Sequence, residues 1–141
     1  MPIANSSAEL EQMIRNEVSN AMNELNSKAL QDMQEETRGF YSLGNPTLYT
    51  RTGKLGNSPR VTGVSSGLNN FSFEFYLEQQ SYTVPNPVFT SRGYASYFSP
   101  LQVLNAAEYH FAHVKGRPGF WHRSELKVER DMNRIFRNHF S

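Results

Sequence analysis

Phe71-Ser72-Phe73-Glu74-Phe75-Tyr76-Leu77-Glu78 alternates apolar and polar side chains over eight positions. In an extended strand successive side chains point to opposite faces. Phe71, Phe73, Phe75 and Leu77 therefore make one apolar row, and Ser72, Glu74, Tyr76 and Glu78 the wetter one. Such a row of aromatic rings has to be covered. The chain offers a long helical pattern before it and a second one at the C-terminus, which predicts an α+β domain. Its antiparallel β-sheet is covered on one face by a long N-terminal helix and a C-terminal helix, with a short helix between.

Upstream, Ser6, Ser7, Ala8 and Glu9 read as a capping box that opens a helix over 6–38. Leu10, Ile14, Val18, Ala21, Met22, Leu25, Ala29 and Met33 recur at three and four and line one stripe. Glu11 with Arg15 and Glu24 with Lys28 are expected i,i+4 pairs, and Gly39 is the expected stop. At 1.5 Å per residue this helix is about 45 Å long, so part of it is expected to project or to meet a neighbour.

Strands are expected over 60–90, beginning with a short glycine-interrupted one from Arg60 to Val64, with Ser65, Ser66 and Gly67 as a turn. Pro85 and Pro87 confine any strand through Tyr82, Val84, Val88 and Phe89 to an edge. The 81–97 piece reads either as an arm that orders against a partner or as an ordinary surface loop. Ser99 and Pro100 open a short helix, 99–113. After the turn Lys115-Gly116-Arg117-Pro118-Gly119 comes a C-terminal helix over 120–140. Its apolar stripe is Trp121, Leu126, Val128, Met132, Ile135, Phe136 and Phe140, and Arg134, Arg137 and His139 sit where positive charge suits the helix end.

A chain of 141 residues is the size of one domain. Without cysteine there is no disulfide, thiolate metal site or cysteine nucleophile. No basic stretch followed by an apolar run opens the chain, and no segment approaches the roughly 20 apolar residues of a membrane span, so a soluble protein made in the cytoplasm is expected. Net charge is +1 but uneven: residues 1–38 carry three basic and seven acidic side chains, and 115–141 carry seven basic and three acidic. Either both ends are solvated helix faces, or opposite charge steers copies together head to tail.

Between the long helix and the first strand lies Tyr49-Thr50-Arg51-Thr52-Gly53-Lys54-Leu55-Gly56-Asn57-Ser58, a motif loop over 49–58. Gly53 and Gly56 allow φ > 0, and Tyr49 and Leu55 supply apolar anchors that a slack linker would not need. A phosphate-binding P-loop is rejected. Leu48 stands where its first glycine belongs, and Leu55 where its Ser or Thr belongs. The tyrosine, then Arg-Thr-Gly, one residue, Leu, and Ser further on resembles a motif of small tailed-phage proteins. These are the minor tail, tail-completion or head-tail joining proteins of lambdoid-siphophage type. A Gly and Pro turn with aromatics before the last helix, here Gly116 to Trp121, is similar to the same family.

The resemblance implies a virion structural protein, assembled in the bacterial host cytoplasm as a ring of copies, possibly a hexamer. Its partners would be the tail tube or neck and connector proteins, with no enzyme activity, cofactor or metal. Tyr49, Arg51, Thr52, Gly53, Lys54, Leu55 and Ser58, with Arg117 and Trp121, would form the interface. Two departures stand out: the 84–97 connection is longer than the family's, and the helix at Pro100 stands where a strand is expected.

Other chemistries were weighed on their residues. Glu108, His110, His113 and His122 are near in sequence, but the zincin spacing is absent. No glycine-serine-glycine elbow marks a nucleophile. Lys115, Arg117, Arg123, Lys127, Arg130, Arg134 and Arg137 alternate with Phe120 and Trp121 in the way a nucleic-acid surface would, which gives the alternative reading. Glu125, Glu129 and Asp131 on the same helix oppose it.

Overall fold

The Ser6 hydroxyl accepts the Glu9 backbone N–H at 3.1 Å, and the Glu9 carboxylate accepts the N–H of Asn5 at 2.9 Å. This reciprocal cap starts helix α1 (Ser7–Gly39). The structure, a computed structural model, describes residues 3–42, 53–68, 70–79, 100–109 and 116–141, and only the backbone of 100–103. The expected 81–97 arm, Ser99, and the 49–52 and 110–115 segments lie outside the described residues. α1 does not stop on a left-handed Gly39; it runs on into a 3-10 turn (Phe40–Ser42), and Phe40 turns inward.

The alternating stretch forms the second half of a long antiparallel hairpin. Strand β1 (Pro59–Val61) pairs with β4 (Phe75–Leu77), and β2 (Ser65–Ser66) pairs with β3 (Phe71–Ser72). Arg60 faces Tyr76, whereas Ser65 faces Ser72, so the register slips by one residue between the two ladders. Thr62, Gly63 and Val64 oppose Phe73 and Glu74, which makes a bulge. At the bulge Asn26 of α1 donates its side-chain amide to the Thr62 carbonyl at 2.6 Å. The Thr62 hydroxyl in turn accepts the Glu74 N–H at 2.8 Å. The Ser65 and Ser66 expected as a turn are thus strand, and the reversal falls at 67–70, where the Gly67 N–H meets the Asn70 carbonyl at 2.7 Å. The face assignment holds through the bulge: Phe71, Phe73, Phe75 and Leu77 are half-buried, and their neighbours are exposed.

Helix α2 (Pro100–Tyr109) precedes helix α3 (Phe120–His139). Gly119, the residue before α3, has φ +80° and no capping side chain of its own. Glu108 of α2 supplies one, its two carboxylate oxygens accepting the N–H groups of Trp121 at 2.8 Å and His122 at 3.1 Å. A carboxylate at a helix N-terminus is favoured both by those orphan donors and by the helix dipole.

α1 and α3 pack antiparallel, since early α1 residues meet the end of α3 and late ones its start. Ala21, Leu25, Ala29, Val128 and Ile135 form one core cluster, covered by Val61, Phe73, Phe75 and Phe136 from the hairpin and α3. Phe40, Leu55, Ala106, Ala107 and Phe120 form the second. The sheet is therefore covered by α1 and α3 as expected, and the domain is α+β. The α3 stripe is rotated from the expected one. Phe120, Ser124, Val128, Asp131 and Ile135 point inward, while Leu126, Met132 and Phe140 are exposed. Their sidechains sit on the flanks because the inward face continues through Ser124 and Asp131, which are polar and so break the apolar pattern.

Candidate interaction surface

Of the motif loop, Gly53 to Ser58 are described. Gly53 has φ +79°, the left-handed conformation a Cβ disfavours. Gly56 has no such angle; instead its position is close-packed, 3.3 Å from where a Cβ would meet the Arg38 Cγ, and its N–H donates to the Tyr41 hydroxyl at 3.3 Å. The Lys54 carbonyl accepts from Asn57 N–H and the Leu55 carbonyl from Ser58 N–H, closing two successive turns. Leu55 is buried against Phe40 and Phe120, and the Ser58 hydroxyl, fully buried, donates to the Leu55 carbonyl at 2.6 Å. Expected on an interface, Leu55 and Ser58 are instead buried within the chain's own fold. Their part is to fix the loop to the core and, through the Ser58 carbonyl and Glu78 N–H, to the hairpin.

Gly53 and Lys54 are half-exposed, and Tyr49, Arg51 and Thr52 lie outside the described residues. Arg117 is exposed, with its backbone N–H bonded to the Phe40 carbonyl at 2.9 Å. Trp121 is half-buried, its ring 5.6 Å from that of Phe75.

The charge difference between the two ends of the chain is spent largely within the protomer. Arg123 Nε reaches Glu36 at 2.7 Å, and Lys127 reaches Glu36 at 2.7 Å and Glu35 at 3.6 Å. Burial alone would raise the Glu36 carboxyl, but hydrogen bonds from Lys127 and Arg123 outweigh it and hold it below its ordinary range. At the other end of the seam His139 Nδ1 meets Glu17 at 2.5 Å and Nε2 meets Glu24 at 2.6 Å. Only the imidazolium can donate from both nitrogens, and the bonds to Glu24 and then Glu17 raise the His139 pKa. The expected Glu24–Lys28 pair is replaced accordingly, with Lys28 lying 3.7 Å from Asp32.

A raised histidine stabilises the fold fully below its ordinary pKa, and that contribution is lost as pH rises through the raised value. We therefore expect His139→Gln to lower the urea midpoint at pH 6 and to differ little from the parent at pH 9. A difference of equal size at both pH values would show packing rather than charge.

The same internal pairing engages part of the basic set of the nucleic-acid reading, while Arg117, Arg130, Arg134 and Arg137 stay exposed. Arg123 and Lys127 face Glu36, Arg134 binds Asp131 at 3.2 Å, and Phe120 is buried. Among the described residues no group of three His, Cys, Asp or Glu could hold a metal ion, and no helix is long and apolar enough to cross a membrane. Glu108 is occupied as the α3 cap, and His110 and His113 lie outside the described residues.

The first turns of α1 have a different environment. α3 ends at His139, opposite Glu17, so α1 continues beyond it by about two and a half turns. Leu10 is 46% and Ile14 40% exposed. With Val18, Met22, Leu68 and Phe71 they line an apolar groove of about 600 Å³. Arg15 forms its floor tie: its guanidinium donates to the Leu68 carbonyl at 2.5 Å and the Gly67 carbonyl at 2.9 Å, and stacks 5.6 Å from the Phe71 ring centre. This fork replaces the expected pairing with Glu11, which is exposed on the rim. The groove is thus held between α1 and the hairpin tip. Sequence periodicity identified Leu10 and Ile14 as apolar stripe; among the described residues α3 reaches this groove only through Phe136.

No protein-family model matches the sequence, and comparison with curated proteins and with solved structures gives no match either. The likeness to phage tail proteins therefore stands on the two sequence motifs and the order of elements.

Proposed function

We propose that this chain is a structural protein of a phage or prophage virion. It would act at the tail end or head-tail junction and assemble into a ring through contacts between copies. The observation that carries the reading is the apolar groove on the projecting start of α1. Isolated exposed apolar side chains are ordinary, but Leu10 and Ile14 share a concave surface with Leu68 and Phe71, which is the form a protein contact takes. The groove is mounted on a helix and a bulged hairpin tied together by Arg15, so it is preorganised, and a neighbouring copy entering it would order few side chains. The motif resemblance supplies the setting, and half-exposed Gly53 and Lys54 and exposed Arg117 belong to the motifs that carry it.

The test is the pair Leu10→Asp and Ile14→Asp in one chain. Both positions are exposed, so helical circular dichroism and the unfolding midpoint should stay close to those of the parent. Sedimentation should show that the oligomers formed by the parent are lost, and complementation of a deletion in the source phage should leave heads apart from tails. Parent protein that stays monomeric alone and with its tail or neck partners, or a folded variant that restores infectious particles, would overturn the reading.

A further inference from the structure

The centre of the α1–α3 seam holds two carboxyls that none of the above uses. Asp32 is 1% and Asp131 2% exposed. One oxygen of each is directed to cations: Lys28 lies 3.7 Å from Asp32 Oδ1, and Arg134 and Arg130 lie 3.2 and 3.9 Å from Asp131 Oδ1. The other oxygens, Asp32 Oδ2 and Asp131 Oδ2, are buried with no donor. Lys127 of α3 meets Glu35 and Glu36 of α1, and one turn further along the antiparallel pair of helices Asp131 and Asp32 come to the same level of the seam. Two ionised carboxylates in that position would be two acceptors facing one another in a dehydrated interface, an arrangement costly on both counts.

We propose that Asp32 and Asp131 bind one proton between them and so form a pH-sensitive latch, closed while the proton is held and loosened between α1 and α3 when it leaves. The proton supplies the donor that both inner oxygens lack. Burial first, then the hydrogen bond and the charge of Asp131, push the Asp32 carboxyl up to about 7, against the smaller opposing pull of Lys28. The charged groups facing the pair are Lys28 and Glu35 from α1 and Arg130 and Arg134 from α3. On the hairpin, Arg60 and Glu78 pair with each other at the surface at 2.6 Å. An acid whose folded pKa is raised stabilises the fold fully below its ordinary value and loses that contribution as pH rises through the folded one. The latch therefore weakens over the range from about 4 to about 7 and stays weak above it.

The experiment is urea unfolding of the full chain from pH 5 to pH 9 in a His139→Gln background, because the His139 clamp changes in the same direction. One extra bound proton in the folded state means about a tenfold loss in the folding equilibrium constant per pH unit up to about pH 6.5, flattening above 7. Asp32→Asn, whose amide can donate to Asp131, should remove that slope. In the background chain, the Asp32 carboxyl carbon-13 resonance should titrate near neutral pH, and backbone amides around Val128 and Ile135 should exchange faster at pH 8 than intrinsic rates require. A flat profile between pH 5 and 8, with both carboxyls titrating in the ordinary range, would overturn the proposal. So would restoration of full stability at pH 8 by calcium or magnesium in the Asp131-bearing parent but not in Asp32→Asn, which would make the pair a cation site.

Discussion

Phe120→Ala is expected to cost about 3 to 5 kcal/mol, read as a lower urea midpoint at unchanged slope. Phe120 is 1% exposed and opens α3. Its ring meets Phe40 edge to face at 5.8 Å, and Phe40 meets Tyr41 in the same way at 5.7 Å. The cavity would be walled by the 3-10 turn after α1, the Leu55 turn and Ala106 and Ala107 of α2, so collapse would require three separate segments to move together. Gly116 makes that movement harder, for it lies so close to Phe40 that a Cβ there would fall within the ring. Loss of the aromatic would also loosen the start of α3, where Glu108 holds the Trp121 and His122 N–H groups. Phe120→Leu, which keeps most of the volume, should cost clearly less. Equal losses for both would mean that ring geometry rather than cavity volume sets the price. A cost below about 1.5 kcal/mol for the alanine variant would mean that the cluster repacks without Phe120.

The periodic signals carried the architecture and missed the polar seam. Phe71 to Glu78 revealed its alternation because every second residue is aromatic or leucine, and a bulge leaves that alternation intact when it falls on the opposite strand. The bulge itself is met by Asn26, which reaches Thr62 from 36 residues away, and nothing local marks it. On α1 the apolar stripe ends at Met33, yet the inward face continues through Asp32, Glu36 and Thr37. Their spacing from Ala29, Met33 and Met33 again is three, three and four, so the same period that identified the stripe also points to them. The polar residue types concealed it.

Asp131 and Ser124 lie likewise at three and four from Val128, and reading the stripe through Leu126 and Met132 set the α3 face off by part of a turn. Pairing was harder still. Glu24–Lys28 and Glu11–Arg15 have the right spacing within one helix, but His139 and the carbonyls of the hairpin tip outcompete them. A guanidinium or imidazolium that donates two charge-assisted hydrogen bonds to acceptors on another element gains more than a single solvated pair along one helix. In the motif loop, Leu55 was rightly an anchor by type. Ser58 gave no sign of its burial, because a serine that bonds its own turn resembles one that faces water.

Glu36→Ala should be the most damaging substitution in the seam, at about 3 kcal/mol, although the side chain is charged rather than apolar. Glu36 is 6% exposed and is the common partner of Arg123 and Lys127, whose side chains are 28% and 27% exposed. Removing it leaves two cations facing each other at the helix interface, and Arg123 already has one buried nitrogen, Nη2, with no partner. Breaking a buried pair from one side costs about 3 to 5 kcal/mol, and the partial exposure of both cations places this site at the lower end. Arg123 keeps its bond to the Pro118 carbonyl at 2.7 Å, so the variant chain should remain folded and measurable.

The charge origin of the effect can be separated from packing in two ways. Replacing all three residues by methionine should recover most of the loss, since apolar isosteres of an ion cluster are often neutral or stabilising. Lowering the pH should also shrink the difference between parent and Glu36→Ala. A carboxyl with a depressed folded pKa contributes above its ordinary value of about 4.5 and loses that contribution as pH falls through the folded one. Asp32 runs the other way along the same seam, one helical turn earlier. Glu36 therefore weakens α1 against α3 in acid, and Asp32 weakens it as neutrality is approached, so the two helices should hold together best in mildly acidic solution. A Glu36→Ala loss that persists undiminished at low pH would assign the effect to the missing methylenes, and the seam would then have a single, neutral-side weakness.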